Sequence, residues 1–79
     1  MRLSRSQLRV LKECAVFRDG TEWTDLSGRG IMRSTIRALL DLGAIEAKSP
    51  GFPGQLFAQQ YRLTSLGRTA MAERIRRES

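Results

Sequence analysis

Between Ile31 and Gly67 the hydrophobic period changes from helical to extended and back, and few folds accommodate that. From Met32 to Leu42 apolar residues recur at helical spacing: Met32, Ile36, Leu39 and Leu40 share one arc, with Ser34, Arg37, Ala38 and Asp41 opposite and Arg33 on the flank. Gly43 stops this helix. Two strands are expected next, Ala44 to Lys48 and Phe57 to Leu63. On the second, Phe57, Tyr61 and Leu63 lie on one face and Gln60 and Arg62 on the other. The run Ser49-Pro50-Gly51-Phe52-Pro53-Gly54-Gln55 carries the turn residues of a hairpin tip. Thr64 or Ser65 then caps a last helix reaching about Arg77. Its apolar residues, Leu66, Ala70, Met71 and Ile75, are spread rather than aligned, so it is either a loose cover over the core or a dimer element.

The N-terminal half begins with a helix from Ser4 or Ser6 to Phe17, stopped by Asp19-Gly20. Leu3, Leu8, Val10, Leu11, Cys14, Ala15 and Phe17 form a wide apolar arc on it, and Arg5, Arg9 and Lys12 gather on the other side. So wide an arc predicts contact with the last helix or with a second subunit. Thr21-Glu22-Trp23 reads as a short extended piece with Trp23 as a core anchor. Thr24 or Asp25 then caps a very short second helix over Asp25 to Arg29, weakened by Gly28 and Gly30, unless these glycines form the turn itself. The shared core predicted from these periods is Trp23, Ile36, Leu39, Leu40, Ile45, Tyr61 and Leu63.

A chain of 79 residues builds one small core, so residues 1–79 form a single domain. Net charge is +6, with a pI of about 11.1, which favours a polyanionic partner. Of the 14 basic residues only Lys12 and Lys48 are lysine. Arginine suits bidentate contacts to phosphate and guanine, although a GC-rich coding bias gives the same excess. Cys14 stands alone and is read as a core residue. With no histidine and one cysteine, the usual zinc ligand sets and histidine-based triads are excluded, and nothing pairs a nucleophile with a base. No enzyme and no cofactor are therefore expected. No stretch reads as a membrane span or a secretion signal, which predicts a cytoplasmic protein.

The order helix, short strand, short helix, helix, hairpin, helix resembles the winged helix-turn-helix superfamily of bacterial and phage regulators, including MarR-like proteins. The residues that carry the resemblance are Asp25-Leu26, Arg33-Ser34-Thr35-Ile36, Leu39-Leu40-Asp41-Leu42-Gly43-Ala44-Ile45 and Tyr61-Arg62-Leu63-Thr64-Ser65-Leu66-Gly67, about half the chain. It implies an α+β fold: a three-helix core, a hairpin wing of two or three antiparallel strands, and a C-terminal helix. It also implies a sequence-specific transcription regulator that binds double-stranded DNA, as a homodimer in many such proteins. Residues 32–42 would be the recognition helix, with Arg33, Ser34 and Arg37 in the major groove and Arg5, Arg29 and Arg62 on phosphates.

Winged helices also bind proteins. The wing tip here carries Phe52, Leu56 and Phe57 with only Lys48 as a nearby cation, whereas wings that touch DNA are usually basic. The alternative reading is thus a small interaction module, such as a phage-encoded inhibitor or accessory factor, contacting its partner through Phe52 and Leu56.

Overall fold

The architecture comes from a computed structural model, which describes residues 2–16, 18–26, 29–48 and 60–78. Helix α1, Arg5–Cys14, starts where Ser4 and Gln7 cap each other. The Ser4 hydroxyl accepts the Gln7 N–H at 3.1 Å, and the Gln7 side chain accepts the Ser4 N–H at 2.9 Å. This reciprocal pair satisfies two donors at once, which is why Ser4 rather than Ser6 is the cap. Leu8, Val10, Leu11 and Cys14 are buried on the inner face. The helix stops at Cys14 instead of continuing to Phe17, which lies outside the described residues, and a single 3-10 turn follows at Arg18–Gly20.

Strand β1 is Thr24–Asp25, helix α2 is Arg33–Leu42, strands β2 and β3 are Ile45–Ala47 and Gln60–Leu63, and helix α3 is Ser65–Glu78. The sheet is antiparallel with order β1-β3-β2. Among the described residues, three helices and this three-stranded sheet make up an α+β fold. Lys48 continues the β2–β3 pairing through a 3.0 Å bond from its N–H to the Gln60 carbonyl. The residues between them, Phe52, Leu56 and Phe57 included, lie outside those described.

Three expectations need correction. Asp25, expected to open a second helix over Asp25 to Arg29, belongs to β1 and pairs with Gln60. No helix forms among the described residues between β1 and α2. Gly30 has φ +70°, a left-handed value that ends any right-handed helical run at that point. Second, the extended piece is Thr24–Asp25, not Thr21 to Trp23, and strand alternation puts Thr24 inward opposite Tyr61. Trp23 consequently falls on the outer side and is only half-buried, so Leu26 occupies the core in its place. Third, Met32 is the N-cap of α2 rather than part of its apolar arc, and it is exposed.

The other core assignments stand. Ile36, Leu39, Ile45, Tyr61 and Leu63 are buried together with the inner face of α1, and Leu40 packs half-buried against them. The wide arc of α1 is explained by its contacts with α2, α3 and β3. Helix α3 crosses close to β2 at Gly67, where a Cβ would collide with the Ala44 carbonyl. Further along, Ala70 is buried and the Arg74 guanidinium donates to the Leu3 carbonyl, which ties the N-terminal segment down.

Leu39 is fully buried at the junction of α2 with the rest of the core. Leu39→Ala is expected to destabilise the domain by about 2 to 5 kcal/mol. Urea denaturation would show this as a lower midpoint at unchanged slope, and an unmoved midpoint would contradict the packing.

Candidate nucleic-acid interface

Helix α2 exists because its apolar residues recur every three to four positions and because its exit is sealed. Gly43 has φ +76°, its N–H reaches the Leu40 carbonyl at 3.0 Å, and the Ala44 N–H reaches the Leu39 carbonyl at 3.0 Å. These are the two bonds of a Schellman turn, with buried Leu39 and Ala44 as its apolar pair. The inner face is thereby pinned against α1 and β2. The outer face is left to Arg33, Ser34, Arg37 and Asp41, all exposed.

The entrance of α2 differs from that of α1. No side chain caps it, its first turn holds no acidic residue, and Arg33 is its first residue. A helix N-terminus carries about half a positive charge, so an arginine there is locally unfavourable by roughly 0.3 to 1 kcal/mol. Arg33 thus stands at the positive end of the helix on an exposed face. Arg37 lies on the same side one turn later. Its charge also reaches inward to Tyr61, whose hydroxyl is pushed above the ordinary value of 10.0 by burial and drawn partly back by Arg37.

The remaining expected contacts sit elsewhere. Arg5 is exposed on α1, where it lines an open groove with Arg9 and Lys12. The α1 groove is linked to the α2 entrance, because Ser6, Arg9 and Val10 share a small cleft with Gly30, Ile31, Met32 and Thr35. Arg62 is on the outer face of the sheet, 4.4 Å from the centre of the Trp23 ring and ion-paired with Glu46, its partner in the strand register. Arg29 is ion-paired with Glu13 at 2.6 Å. Both guanidiniums therefore hold chain segments together. Phe52 and Leu56 lie outside the described residues.

Sequence reasoning placed Arg9 on the basic side of the first helix but did not single out Glu13 or the Trp23 stacking on Arg62. The Arg29–Glu13 and Arg62–Glu46 partners are each 16 positions apart, so no local period reports them. For Trp23 a signal was present: alternation from Thr24 across to Tyr61 puts Trp23 and Arg62 on the same side.

Among the described residues no group of three or more His, Cys, Asp or Glu is arranged to hold a metal, and no helix is long and apolar enough to cross a membrane. Compared with family models, with curated proteins and with solved structures, the chain matches none.

Cys14 is a free, buried thiol pushed up from 9.0 to about 11, first by desolvation and then by the Glu13 carboxylate, with Arg29 pulling the other way. A folded-state pKa above the unfolded one means that the folded chain holds the proton more tightly. The resulting stability is fully present below pH 9 and is lost as pH rises toward 11. Chemical denaturation across that range is expected to show falling stability in the wild type and a shallower fall in Cys14→Ala. Equal slopes in the two proteins would remove Cys14 as the cause.

Proposed function

We propose that this chain is a small winged-helix DNA-binding protein, a transcription regulator whose recognition helix is α2. The carrying observation is the exposed face of α2, where Arg33, Ser34 and Arg37 cluster at an uncapped, acid-free helix entrance. Such a face suits a major groove: the side chains are small or polar, arginine donates two bonds to guanine O6 and N7, and a positive helix end favours phosphate. The sheet order β1-β3-β2, with a hairpin after α2, agrees with the winged topology. The net charge of +6 supplies long-range attraction to DNA.

The contrast between the two helix entrances adds weight. Helix α1 shows that this sequence forms a full capping box, while α2 has Met32 where Ser or Asp would stabilise it. Proteins break local rules of this kind mainly at functional sites. On this reading Arg33, Ser34 and Arg37 meet the groove and Arg5 is open to phosphate, while Arg29 and Arg62 contribute charge from within their ion pairs. A protein-binding module built on Phe52 and Leu56 is the competing class, and those two residues lie outside the described ones.

The test is an electrophoretic mobility shift against random and selected duplexes at several salt concentrations. Binding should weaken steeply with salt, by about 0.9 log units per log unit for each phosphate contacted. A slope near zero, or no shift, would reject DNA as the partner. Arg37→Ala should lose about 1 to 3 kcal/mol on the selected duplex and relax preference at one base pair, while folding is retained. Equal losses on selected and scrambled duplexes would reduce Arg37 to part of the general electrostatic footprint.

Met32→Asp separates stability from binding. An acidic cap should raise stability by about 0.5 to 2 kcal/mol and place a negative charge where the DNA would lie, so thermal midpoint and DNA affinity should move in opposite directions. If both rise together, the entrance of α2 does not face the polyanion.

A further inference from the structure

Arg29 is gripped from two sides. Its Nη1 donates to Glu13 Oε2 on α1 at 2.6 Å, its Nε donates to the Asp25 carbonyl at 3.1 Å, and its own carbonyl accepts from Arg9 Nη2 at 2.9 Å. The bond to Asp25 spans the same four positions that a helical N–H would span to its carbonyl. A side-chain donor thus occupies the role that a backbone donor plays in a helix, in the stretch where the expected helix is not formed by the described residues. On either side of Arg29, Leu26 is buried and Ile31 packs half-buried against the core.

We propose that Glu13, Arg29 and Arg9 form a bracket that stands in for the positioning helix of a helix-turn-helix and fixes the angle at which α2 presents Arg33, Ser34 and Arg37. Arg29 is then a positioning residue rather than a phosphate contact. Helix α2 has ten residues and is about 15 Å long, so a tilt at its entrance displaces the whole exposed face. Guanidinium geometry is required, because one group must donate in two directions at once. A lysine ammonium is a point charge on a flexible stem and does not reproduce that fork. The consequence for base reading rests on the DNA-binding proposal, whereas the restraint itself does not.

Two substitutions separate positioning from charge. Glu13→Gln removes a negative charge, so a purely electrostatic role predicts tighter DNA binding, and the bracket predicts weaker specific binding. Arg29→Lys keeps the charge, so a phosphate contact would survive it and the bracket would not. The pair is partly exposed, with the Arg29 side chain 42% accessible and Glu13 29%, so both variants should remain folded.

The first readout is amide hydrogen exchange without DNA at Thr35 and Ile36, whose N–H groups bond the Met32 carbonyl at 3.1 and 3.3 Å. Both variants should exchange about tenfold faster there while amides in α3 are unchanged. The second readout is binding to a duplex selected from a random pool and to a scrambled one. Affinity for the selected duplex should fall about tenfold in both variants, with scrambled-duplex binding and the salt slope retained.

Wild-type exchange rates in both variants would overturn the bracket even if DNA binds. Tighter binding of Glu13→Gln to both duplexes, with Arg29→Lys indistinguishable from wild type, would overturn it as well. Faster exchange in a chain that binds no duplex would reject the DNA reading and leave the bracket standing.

Discussion

The backbone around Ala44 is held by three elements at once, and the placement of α2 depends on it. The Ala44 N–H closes the Schellman turn of α2 on Leu39, its carbonyl accepts the Thr64 N–H at 3.1 Å, and Gly67 of α3 lies against that same carbonyl. Thr64 also donates its hydroxyl to the Gly43 carbonyl and accepts the Gly67 N–H at 3.0 Å. Ala44, between the end of α2 and the start of β2, therefore joins the exit of α2 to the strand and receives the first turn of α3. Neither a side chain at Gly67 nor a different exit at Gly43 fits there, because the first meets carbonyl and the second needs a left-handed backbone. Since α2 leaves this junction in one direction only, its inner face meets α1 and its outer face must remain exposed.

That geometry was legible in the sequence wherever the signal was local and periodic. Ile36, Leu39 and Gly43 announce α2 and its stop. Tyr61 and Leu63 announce the inward face of β3, and Thr64 announces the cap of α3. What was not legible depended on register or on partners distant in the chain. Trp23 has the size of a core anchor, but the pairing of Thr24 with Tyr61 turns it outward onto Arg62. Propensity allowed a weak helix over Asp25 to Arg29, yet strand pairing at Asp25 and the left-handed Gly30 exclude its full span. Of the candidate site, the α2 face was visible as a helical projection. The ion pairs that engage Arg29 and Arg62 were not, because each joins elements 16 positions apart.

The arginine excess divides into two populations with different physical roles. Arg18 pairs with Glu22, Arg29 with Glu13 and Arg62 with Glu46, while Arg9, Arg68 and Arg74 donate to the carbonyls of Arg29, Leu63 and Leu3. These guanidiniums bind chain to chain. As partly exposed contacts each adds little stability, on the order of 0 to 1 kcal/mol for an ion pair, but each restricts the direction in which a short segment leaves its neighbour. In a domain with strands of two to four residues, such directional ties complement a small core.

The second population, Arg33 and Arg37, lies on the exposed face of α2, whose first turn holds no acidic residue. Glu13, Glu22 and Glu46 are drawn to α1, the turn before β1 and the sheet, each opposite an arginine. The exposed face of α2 has Asp41 as its acidic residue, near the C-terminal end, while Arg33 and Arg37 occupy the first half. That order opposes the helix dipole, which favours acids at the entrance and bases at the exit. A surface under selection for stability alone would place them the other way round. The arrangement becomes favourable once an anion approaches the entrance of α2, since the two arginines and the positive helix end then face a common counter-charge.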